Sequence, residues 1–231
     1  MRPRRGWFQA RFRLGDRRSI CYERPVPTGL SLLKFRCTQC GNCCKDPILP
    51  LTDADVKRIV KDTGHAATDI IRWVDRNAID MDDEPEAFVM LRQGKRIMTM
   101  RQGRGGCRYL GADDRCTIYS IRPLGCRAFP FDPTFKRDGT LRRLKLIEAT
   151  ECPYELDGQN DVDAMRKLHE RYDAATDDYQ QKVAEWNRLQ RRRRRQGKAA
   201  QTTREFLDFL GIRTAPAAKS KSPYRPARAR A

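Results

Sequence analysis

The chain has 231 residues, of which 39% are hydrophobic and 34% are charged, and its formal net charge is +18. This length leaves room for one domain of ordinary size with extensions, and the apolar content is typical of a chain that buries a core. No stretch approaches the ~18 consecutive apolar residues of a membrane-spanning helix, and no apolar segment follows the first arginines. We therefore expect no membrane partner, no secretory signal and a cytoplasmic location.

The positive charge is concentrated at the two ends of the chain. Residues 1–20 have a net charge of +6 and residues 188–231 have +12, whereas residues 21–187 hold 27 basic and 27 acidic side chains. Basic ends of this kind are typical of solvated tails, and they are candidates for weak, salt-dependent contact with nucleic acid or an acidic partner. No platform of interleaved aromatic residues accompanies them, so the sequence does not support sequence-specific recognition.

The predicted elements begin after an irregular basic lead-in, residues 1–34. Thr52 and Asp55 form a capping box in front of an amphipathic stretch that ends at Gly64, and this pattern predicts a helix. The apolar spacing in residues 67–77 predicts a second helix. These helices precede a middle region in which the period of the apolar residues changes.

Short antiparallel elements are predicted for the middle of the chain. Two apolar runs surround Gly94 and predict a hairpin, and Asp138-Gly139 is the strongest hairpin turn signal in the sequence. Between them we expect a tight turn at Asp113-Asp114 and one helical turn that Gly125 ends. The middle region is therefore expected to be a small, irregular α+β unit.

A long helical pattern starts at Asp161. Apolar residues at steps of three and four continue to Leu189, and they predict one amphipathic helix or two helices broken near Thr176. A short capped helix is expected over residues 202–211.

Nine cysteines form the most specific pattern of the sequence. They are Cys21, Cys37, Cys40, Cys43, Cys44, Cys107, Cys116, Cys126 and Cys152. Four of them fall within eight positions, and both the odd total and the adjacent pair suit a disulfide framework poorly. A spacing of two residues lets a tight turn direct two thiolates at one ion, so metal binding explains the pattern better.

Eight of these cysteines are candidate metal ligands. They are Cys37, Cys40, Cys43, Cys44, Cys107, Cys116, Cys126 and Cys152. Eight thiols can make two four-sulfur sites, or one site with structural thiols left over. The spacing suits zinc, iron, or a [4Fe–4S] cluster completed by a remote cysteine. Cys21 has no partner at a useful spacing and is expected to be a bystander.

Two blocks of the sequence resemble a known family. "FRCTQCGNCCKDPILPLTDADVKRI" and "CRYLGADDRCTIYSIRPLGCRAFPF", with a late "CP", are similar to the YkgJ-type cysteine-cluster proteins, also described as the CxxCxxCC zinc- or iron-chelating family. The resemblance covers about residues 35–153 and implies metal chelation by the same eight cysteines. One branch, the flagellin lysine methylases, is enzymatic. This chain is shorter than expected for that branch and has no Gly-rich S-adenosylmethionine loop.

An arginine near the cysteines leaves two alternatives, and the two histidines are expected to take no part in the site. Arg122 either balances the negative charge of a thiolate site or holds a buried turn through hydrogen bonds to carbonyl groups. His65 and His169 are expected to be surface histidines and not ligands.

We therefore expect an α+β fold: a small, irregular, cysteine-rich unit with short hairpins, centred on a metal and braced by N-side helices and a long C-terminal helix. Its expected divisions are a basic lead-in (1–34), a cysteine-cluster metal-binding domain (35–160), a helical extension packed on it (161–211) and a disordered basic tail (212–231).

The first function hypothesis is a metal-binding protein with a structural, chelating or electron-transfer role. The alternatives are a protein-modifying or redox enzyme that uses the cluster, and a basic-tailed nucleic-acid-binding module with structural metal.

Overall fold

The computed structural model describes residues 11–12, 29–45, 48–81, 85–103, 105–147 and 153–214. Most of the predicted lead-in, Cys21, Cys152 and the chain beyond residue 214 lie outside these ranges. The described residues form helices and small antiparallel sheets, which confirms the predicted α+β class. None of the helices described is both long enough and apolar enough to cross a membrane.

Six helices and nine strands make up the described structure. The helices are α1 (Asn42–Lys45), α2 (Asp53–Thr63), α3 (Ala67–Ile70), α4 (Leu124–Ala128), α5 (Val162–Arg195) and α6 (Thr203–Phe209). The strands are β1 (Arg11–Phe12), β2 (Ile71–Asp75), β3 (Ile79–Asp80), β4 (Val89–Leu91), β5 (Gly94–Met100), β6 (Gln102–Gly103), β7 (Gly106–Cys107), β8 (Phe131–Phe135) and β9 (Leu141–Leu146). Single 3-10 turns cover Leu30–Lys34, Arg76–Ala78, Pro85–Ala87 and Tyr119–Ile121.

The largest sheet has three antiparallel strands in the order β2-β5-β4. β4 and β5 form the hairpin predicted around Gly94, which lies opposite Leu91. β2 pairs with the other edge of β5, with Ile71 opposite Met100. The remaining sheets are the two-stranded pairs β1-β3, β6-β7 and β8-β9.

The second predicted helix is wrong beyond its first turn. α3 ends at Ile70, and the chain continues directly into strand β2. Ile71, Trp73 and Val74 are β-branched or aromatic, and side chains of this kind pack well on a pleated surface. The spacing of the buried residues fits a helix as well as a short buried strand, so only pairing with β5 decides between them.

Most other predicted elements are confirmed. The capping box of Thr52 and Asp55 starts α2, and Gly64 ends it in the left-handed conformation with φ of 71°. The β8-β9 hairpin turns at Asp138-Gly139, and α5 is one uninterrupted helix of 34 residues with no break near Thr176.

The predicted stop at Gly125 is wrong. Gly125 is buried inside α4, and this helix continues to Ala128. Its N–H-to-carbonyl bonds continue past the glycine, since the N–H of Phe129 donates to the carbonyl of Gly125. Glycine often follows a helix but can also lie inside one where close packing leaves no room for a side chain.

α5 connects two hydrophobic clusters formed by the described residues. The larger cluster lies between α2, the three-stranded sheet, α5 and α6, and it contains the fully buried Tyr109, Tyr179 and Phe206. The smaller cluster consists of Leu32, Phe35, Leu144, Leu146 and Met165. Because α5 contributes Met165 to one cluster and Tyr179 to the other, it braces the structure along its length.

α5 also covers the open edge of strand β4. The side-chain amide of Asn187 accepts a bond from the N–H of Met90 at 2.7 Å and donates to the carbonyl of Phe88 at 2.8 Å. The indole N–H of Trp186 donates to the carbonyl of Met90 at 2.9 Å. Two helical side chains thus satisfy backbone groups that a neighbouring strand would otherwise satisfy.

Candidate metal centre

The C-x2-C-x2-C-C segment folds as a tight loop that ends in helix α1. Gln39 and Gly41 have positive φ angles of 57° and 75°, so the chain reverses between the first cysteines and the last two. α1 then carries Cys43, which is exposed, and Cys44, which is partly buried. The loop therefore presents the adjacent pair from a single helical turn.

A second loop lies against α1 and supplies two more thiols. Cys107 belongs to strand β7, and its sulfur accepts a hydrogen bond from the N–H of Tyr109 at 3.5 Å. Cys116 forms an isolated β-bridge with Leu110, across the turn that the sequence predicted at Asp113-Asp114. The pairing of this turn therefore brings two cysteines nine positions apart to the same side of α1.

Helix α4 supplies Cys126, and helix α2 fixes the position of α4. The buried carboxylate of Asp55 accepts a bond from the N–H of Leu124 at 2.9 Å. The guanidinium of Arg58 donates to the carbonyls of Ile121 and Arg122 at 3.3 Å and 3.1 Å. Arg58 also pairs with Asp55 at 2.7 Å, so one ion pair at the start of α2 anchors the segment in front of Cys126.

One of the two alternatives was that Arg122 holds this turn through hydrogen bonds to carbonyl groups. That part belongs to Arg58, whereas the guanidinium of Arg122 lies 4.0 Å above the ring of Tyr119. Its positive charge also lowers the pKa of Cys43 and of Cys116. The structure therefore favours the alternative in which Arg122 balances charge among the thiols.

Two glycines allow the loops to approach each other closely. A Cβ atom on Gly41 would lie 2.5 Å from the carbonyl oxygen of Asp114, and one on Gly106 would lie 2.6 Å from the carbonyl oxygen of Cys44. Both glycines also have positive φ angles. α1 is consequently held between the β6-β7 hairpin and the Asp114 turn by backbone contacts that no other residue type permits.

Five thiols share one electrostatic environment. Cys44 is hydrogen-bonded to both Cys43 and Cys116, and charge interactions connect these thiols with Cys107 and Cys126. The five come from three separate segments, namely α1, the loop from β7 to Cys116, and α4. We call them the five-thiol cluster.

Hydrogen bonding separates the pKa values within the cluster. The bond from Cys44, together with the positive charge of Arg122, lowers the pKa of Cys43 to about 7 against the effect of burial. The same donor lowers the pKa of Cys116 to about 7. The pKa of Cys44 is raised, because its hydrogen bonds to Cys116 and Cys43 hold its proton. A thiolate at Cys43 or Cys116, beside the protonated Cys44, is thus accessible near neutral pH.

The two deeper thiols resist ionisation. Burial raises the pKa of Cys107 to about 11, and burial also raises the pKa of Cys126, where the neighbouring cysteines add to the effect. Metal ions bind thiolates, so a metal that uses these sulfurs must displace their protons.

The remaining candidate ligands are Cys37 and Cys40, on the loop in front of α1, and Cys152. Cys37 is exposed, and its sulfur accepts a bond from the N–H of Gln39 at 3.4 Å. Cys40 is partly buried on the same loop. Cys152 lies outside the described residues, but the next residue, Pro153, accepts a hydrogen bond from the hydroxyl of Thr38 at 2.5 Å. The segment after Cys152 therefore runs beside the Cys37–Cys40 part of the loop.

The two histidines are half-buried. His65 Nδ1 lies 3.0 Å from the hydroxyl of Tyr109, and burial lowers its pKa. His169 lies 3.0 Å from the carbonyl of Met165 and 3.4 Å from that of Phe131. Both rings are partly exposed, and that neither is a metal ligand stays a prediction.

The donor types of the cluster fit zinc or iron. Clustered thiolates select these metals, and a nearby guanidinium offsets the negative charge that a thiolate site accumulates. In the part of the chain that the structure describes, no group of three or more His, Cys, Asp or Glu side chains is arranged as a ready coordination shell. A metal is therefore supported by the donor types of the cluster and not by a preformed coordination shell.

A protein-family model matches residues 36–153, more than half of the chain, and is described as "CxxCxxCC: Putative zinc- or iron-chelating domain". The chain belongs to the CxxCxxCC family. All eight candidate ligands fall inside the matched CxxCxxCC domain, and Cys21 falls outside it. Membership supports the binding of zinc or iron in general. Searches of curated proteins and of solved structures gave no match.

Sequence reasoning missed the residues that support the site. Asp55 and Arg58 were interpreted only as parts of an amphipathic, capped helix, because their contacts with residues 121–124 cross more than 60 positions of sequence. The sequence does contain two signals of a close approach between the loops, which are Gly41 inside the cysteine motif and Gly106 beside Cys107. A glycine next to a candidate ligand indicates a close backbone approach.

Proposed function

We propose that this CxxCxxCC domain holds zinc or iron in the five-thiol cluster of Cys43, Cys44, Cys107, Cys116 and Cys126. The observation that carries the proposal is the convergence of these five thiols from three chain segments, with the positive charge of Arg122 acting on Cys43, Cys116 and Cys126. Buried apolar cysteines would not require a compensating cation.

Cys37, Cys40 and Cys152 are the remaining candidate ligands in this proposal. They belong to the same family segment, and the chain after Cys152 runs beside Thr38 in the Cys37–Cys40 loop. They supply either the final ligands of one site or, with one shared thiol, a second site.

The protein's own residues prepare the cluster for a metal. Cys44 keeps a proton between Cys43 and Cys116, and this proton leaves when the metal takes its place. Arg122 offsets the charge of the thiolates, while Asp55 and Arg58 keep α4 and Cys126 in position. A bound zinc ion would cross-link the three segments, and bound iron would in addition accept or donate electrons.

The proposed role is structural, chelating or electron-transferring. Much of the centre consists of short turns around α1 and α4, so a cross-link between them would stabilise the fold directly. The partly exposed position of the cluster, with Cys43 accessible to solvent, leaves a path for metal exchange or for electron transfer to a partner.

Elemental analysis of anaerobically purified, untagged protein tests the proposal. About four iron atoms and four acid-labile sulfides per chain, with a brown colour, would indicate a [4Fe–4S] cluster. About one or two zinc ions per chain, without sulfide or colour, would indicate tetrahedral thiolate sites. Protein that stays free of both metals after reconstitution would contradict the proposal.

Single substitutions locate the ligands. We expect Cys116→Ser and Cys126→Ser to lower metal affinity about tenfold or more, because each removes a thiolate from the cluster. Cys21→Ser is the matched control, since Cys21 lies outside the family segment, and it should leave the metal content unchanged. Full occupancy in both cluster variants in the presence of a competing chelator would show that the metal lies elsewhere.

A further inference from the structure

A basic cleft lies between the β4-β5 hairpin and the last turns of α5. Its volume is about 580 Å³, and it is lined by Met90, Lys95, Arg191, Arg194 and Arg195. We call Lys95, Arg191, Arg194 and Arg195 the basic cleft residues. All four are exposed.

Helical geometry gathers the three arginines on one face. Arg191, Arg194 and Arg195 are spaced at i, i+3 and i+4, so their side chains project from α5 in the same direction. Arg191 also contacts the sulfur of Met90 at 3.8 Å, which places its guanidinium against the hairpin. Lys95 completes the cleft from the strand side.

The basic cleft residues have no anionic partner within the described part of the chain. No described carboxylate lies within ion-pair distance of any of them, whereas Arg96 on the same hairpin pairs with Asp75 at 3.6 Å. Like charges at this spacing repel each other, and the carboxyl end of the α5 dipole offsets only part of that cost. A bound polyanion would remove the repulsion.

The cleft is held by specific contacts on both sides. Asn187 and Trp186 fix α5 to Met90 of the hairpin. One turn further on, Gln190 exchanges two hydrogen bonds with Gln201 at 2.8 Å and 3.0 Å, which anchors the end of α5 to the start of α6. The charged side chains therefore project from a fixed backbone, and binding would not have to order it.

We infer that the basic cleft binds the phosphodiester backbone of a nucleic acid. Guanidinium groups match phosphate with two parallel hydrogen bonds, and three of the four cations are arginines. The rise from Arg191 to Arg195 is about 6 Å, and phosphates of one strand follow at about 3.4 Å along the axis, so the row spans two or three phosphates. The cleft is lined by no aromatic ring, so binding should be independent of base sequence.

An anionic membrane fits this surface less well. The large apolar side chains near this end of α5 face inward, and Trp186 is only 2% exposed. A helix that enters a lipid interface needs an apolar face for insertion. The basic cleft offers charge without such a face.

Fluorescence anisotropy with labelled oligonucleotides of about 20 nucleotides tests the inference on the full chain, at several salt concentrations from about 50 to about 200 mM. The test variant carries Lys95→Gln, Arg191→Gln, Arg194→Gln and Arg195→Gln. The control variant carries Lys136→Gln, Arg137→Gln, Arg142→Gln and Arg171→Gln. The control removes the same number of lysines and arginines from exposed positions elsewhere, so both variants have the same net charge.

We expect the test variant to bind about tenfold or more weakly, with a salt dependence reduced by the equivalent of about two to three phosphate contacts. The control should stay within about twofold of the unchanged protein. Metal content and melting temperature should be unchanged in both, which separates this result from any failure of the metal centre.

Three outcomes would overturn the inference. Equal losses in both variants would mean that total charge, and not the basic cleft, attracts the polyanion. No loss in the test variant would assign binding to other segments, such as the chain beyond residue 214. Cosedimentation with phosphatidylserine vesicles, without nucleic-acid binding, would assign the cleft to a lipid surface.

Discussion

The carboxylate of Asp55 connects the first turn of α2 with the backbone of Leu124, 69 positions later in the chain, through a 2.9 Å hydrogen bond. Its other oxygen accepts bonds from the backbone N–H and the hydroxyl of Thr52 at 3.2 Å and 2.9 Å. Arg58 supplies a further donor at 2.7 Å. A helix cap is thus also the attachment point for α4, the helix that carries Cys126.

Replacing Asp55 tests this double role. Asp55→Ala removes the capping box, the acceptor of the Leu124 N–H and the ion-pair partner of Arg58. We expect the free energy of unfolding to fall by about 3–5 kcal/mol, because a buried, charged hydrogen-bonding group is lost. Asp62→Ala, at an exposed position of the same helix, should change it by less than about 0.5 kcal/mol.

Urea denaturation measures both variants, and metal titration shows whether the effect reaches the centre. A loss of stability in Asp55→Ala without any loss of metal affinity would mean that α4 keeps its position without the Asp55 contact.

Gly41 should tolerate no side chain, because its backbone is in the left-handed conformation and because the Asp114 carbonyl lies close to it. Comparison with Gly197 separates these two effects. Gly41 and Gly197 have similar φ angles of 75° and 69°, but only a Cβ on Gly41 would meet another atom closely, the carbonyl oxygen of Asp114. Gly197→Ala should cost about 1–2 kcal/mol from backbone strain alone. Gly41→Ala should cost clearly more, about 3 kcal/mol or above, and should weaken metal binding. Equal costs in thermal or urea unfolding would show that the loops are free to separate.

The buried carboxylate of Asp53 is held in its charged form by two lysines. Burial opposes its ionisation, but hydrogen bonds from Lys182 at 2.9 Å and Lys57 at 3.0 Å outweigh burial and lower its pKa. A lowered folded-state pKa contributes stability that is present above the ordinary carboxyl pKa of about 4 and is lost as the pH falls through the folded value.

Lys182→Met should therefore destabilise the protein in a pH-dependent way. At neutral pH we expect a loss of about 1–3 kcal/mol, because Lys57 remains as a partner for the buried Asp53. The difference from the unchanged protein should shrink as the pH falls through the lowered pKa of Asp53, because Asp53 is then protonated in both proteins. Lys61→Met, at an exposed position of α2, is the control. A pH-independent difference in urea denaturation would argue that packing, and not the ion pair, is lost.

Asn187 should be essential for covering the edge of the three-stranded sheet at strand β4. Asn187→Ala leaves the N–H of Met90 and the carbonyl of Phe88 without their partner, so we expect a cost of about 2–3 kcal/mol. Hydrogen exchange of the Met90 amide should accelerate strongly relative to amides of β5, because a covered edge becomes open. Arg188→Ala, at the next, exposed position, should change neither quantity. Unchanged protection of Met90 would mean that another group shields the edge.

Local signals in the sequence were sufficient for several elements of the fold. The capping box of Thr52 and Asp55, the left-handed Gly64 and the Asp138-Gly139 turn each determine backbone geometry within a few residues, and all three are confirmed. The long amphipathic repeat also predicted α5, since a period of 3.6 over many turns has no competing interpretation. The cysteine spacing likewise predicted the family and the class of ligand.

Only the tertiary structure decided the remaining features, because they depend on contacts between distant segments. Residues 71–75 became a strand through pairing with β5, although their apolar spacing also fits a helix. The convergence of the five-thiol cluster follows from how α1, the Asp114 turn and α4 pack. The sequence by itself determined which atoms could bind a metal, since that is a matter of residue chemistry. Their grouping required the fold, since hydrogen bonds such as Asp55 to Leu124 form only when segments far apart in the chain are brought together.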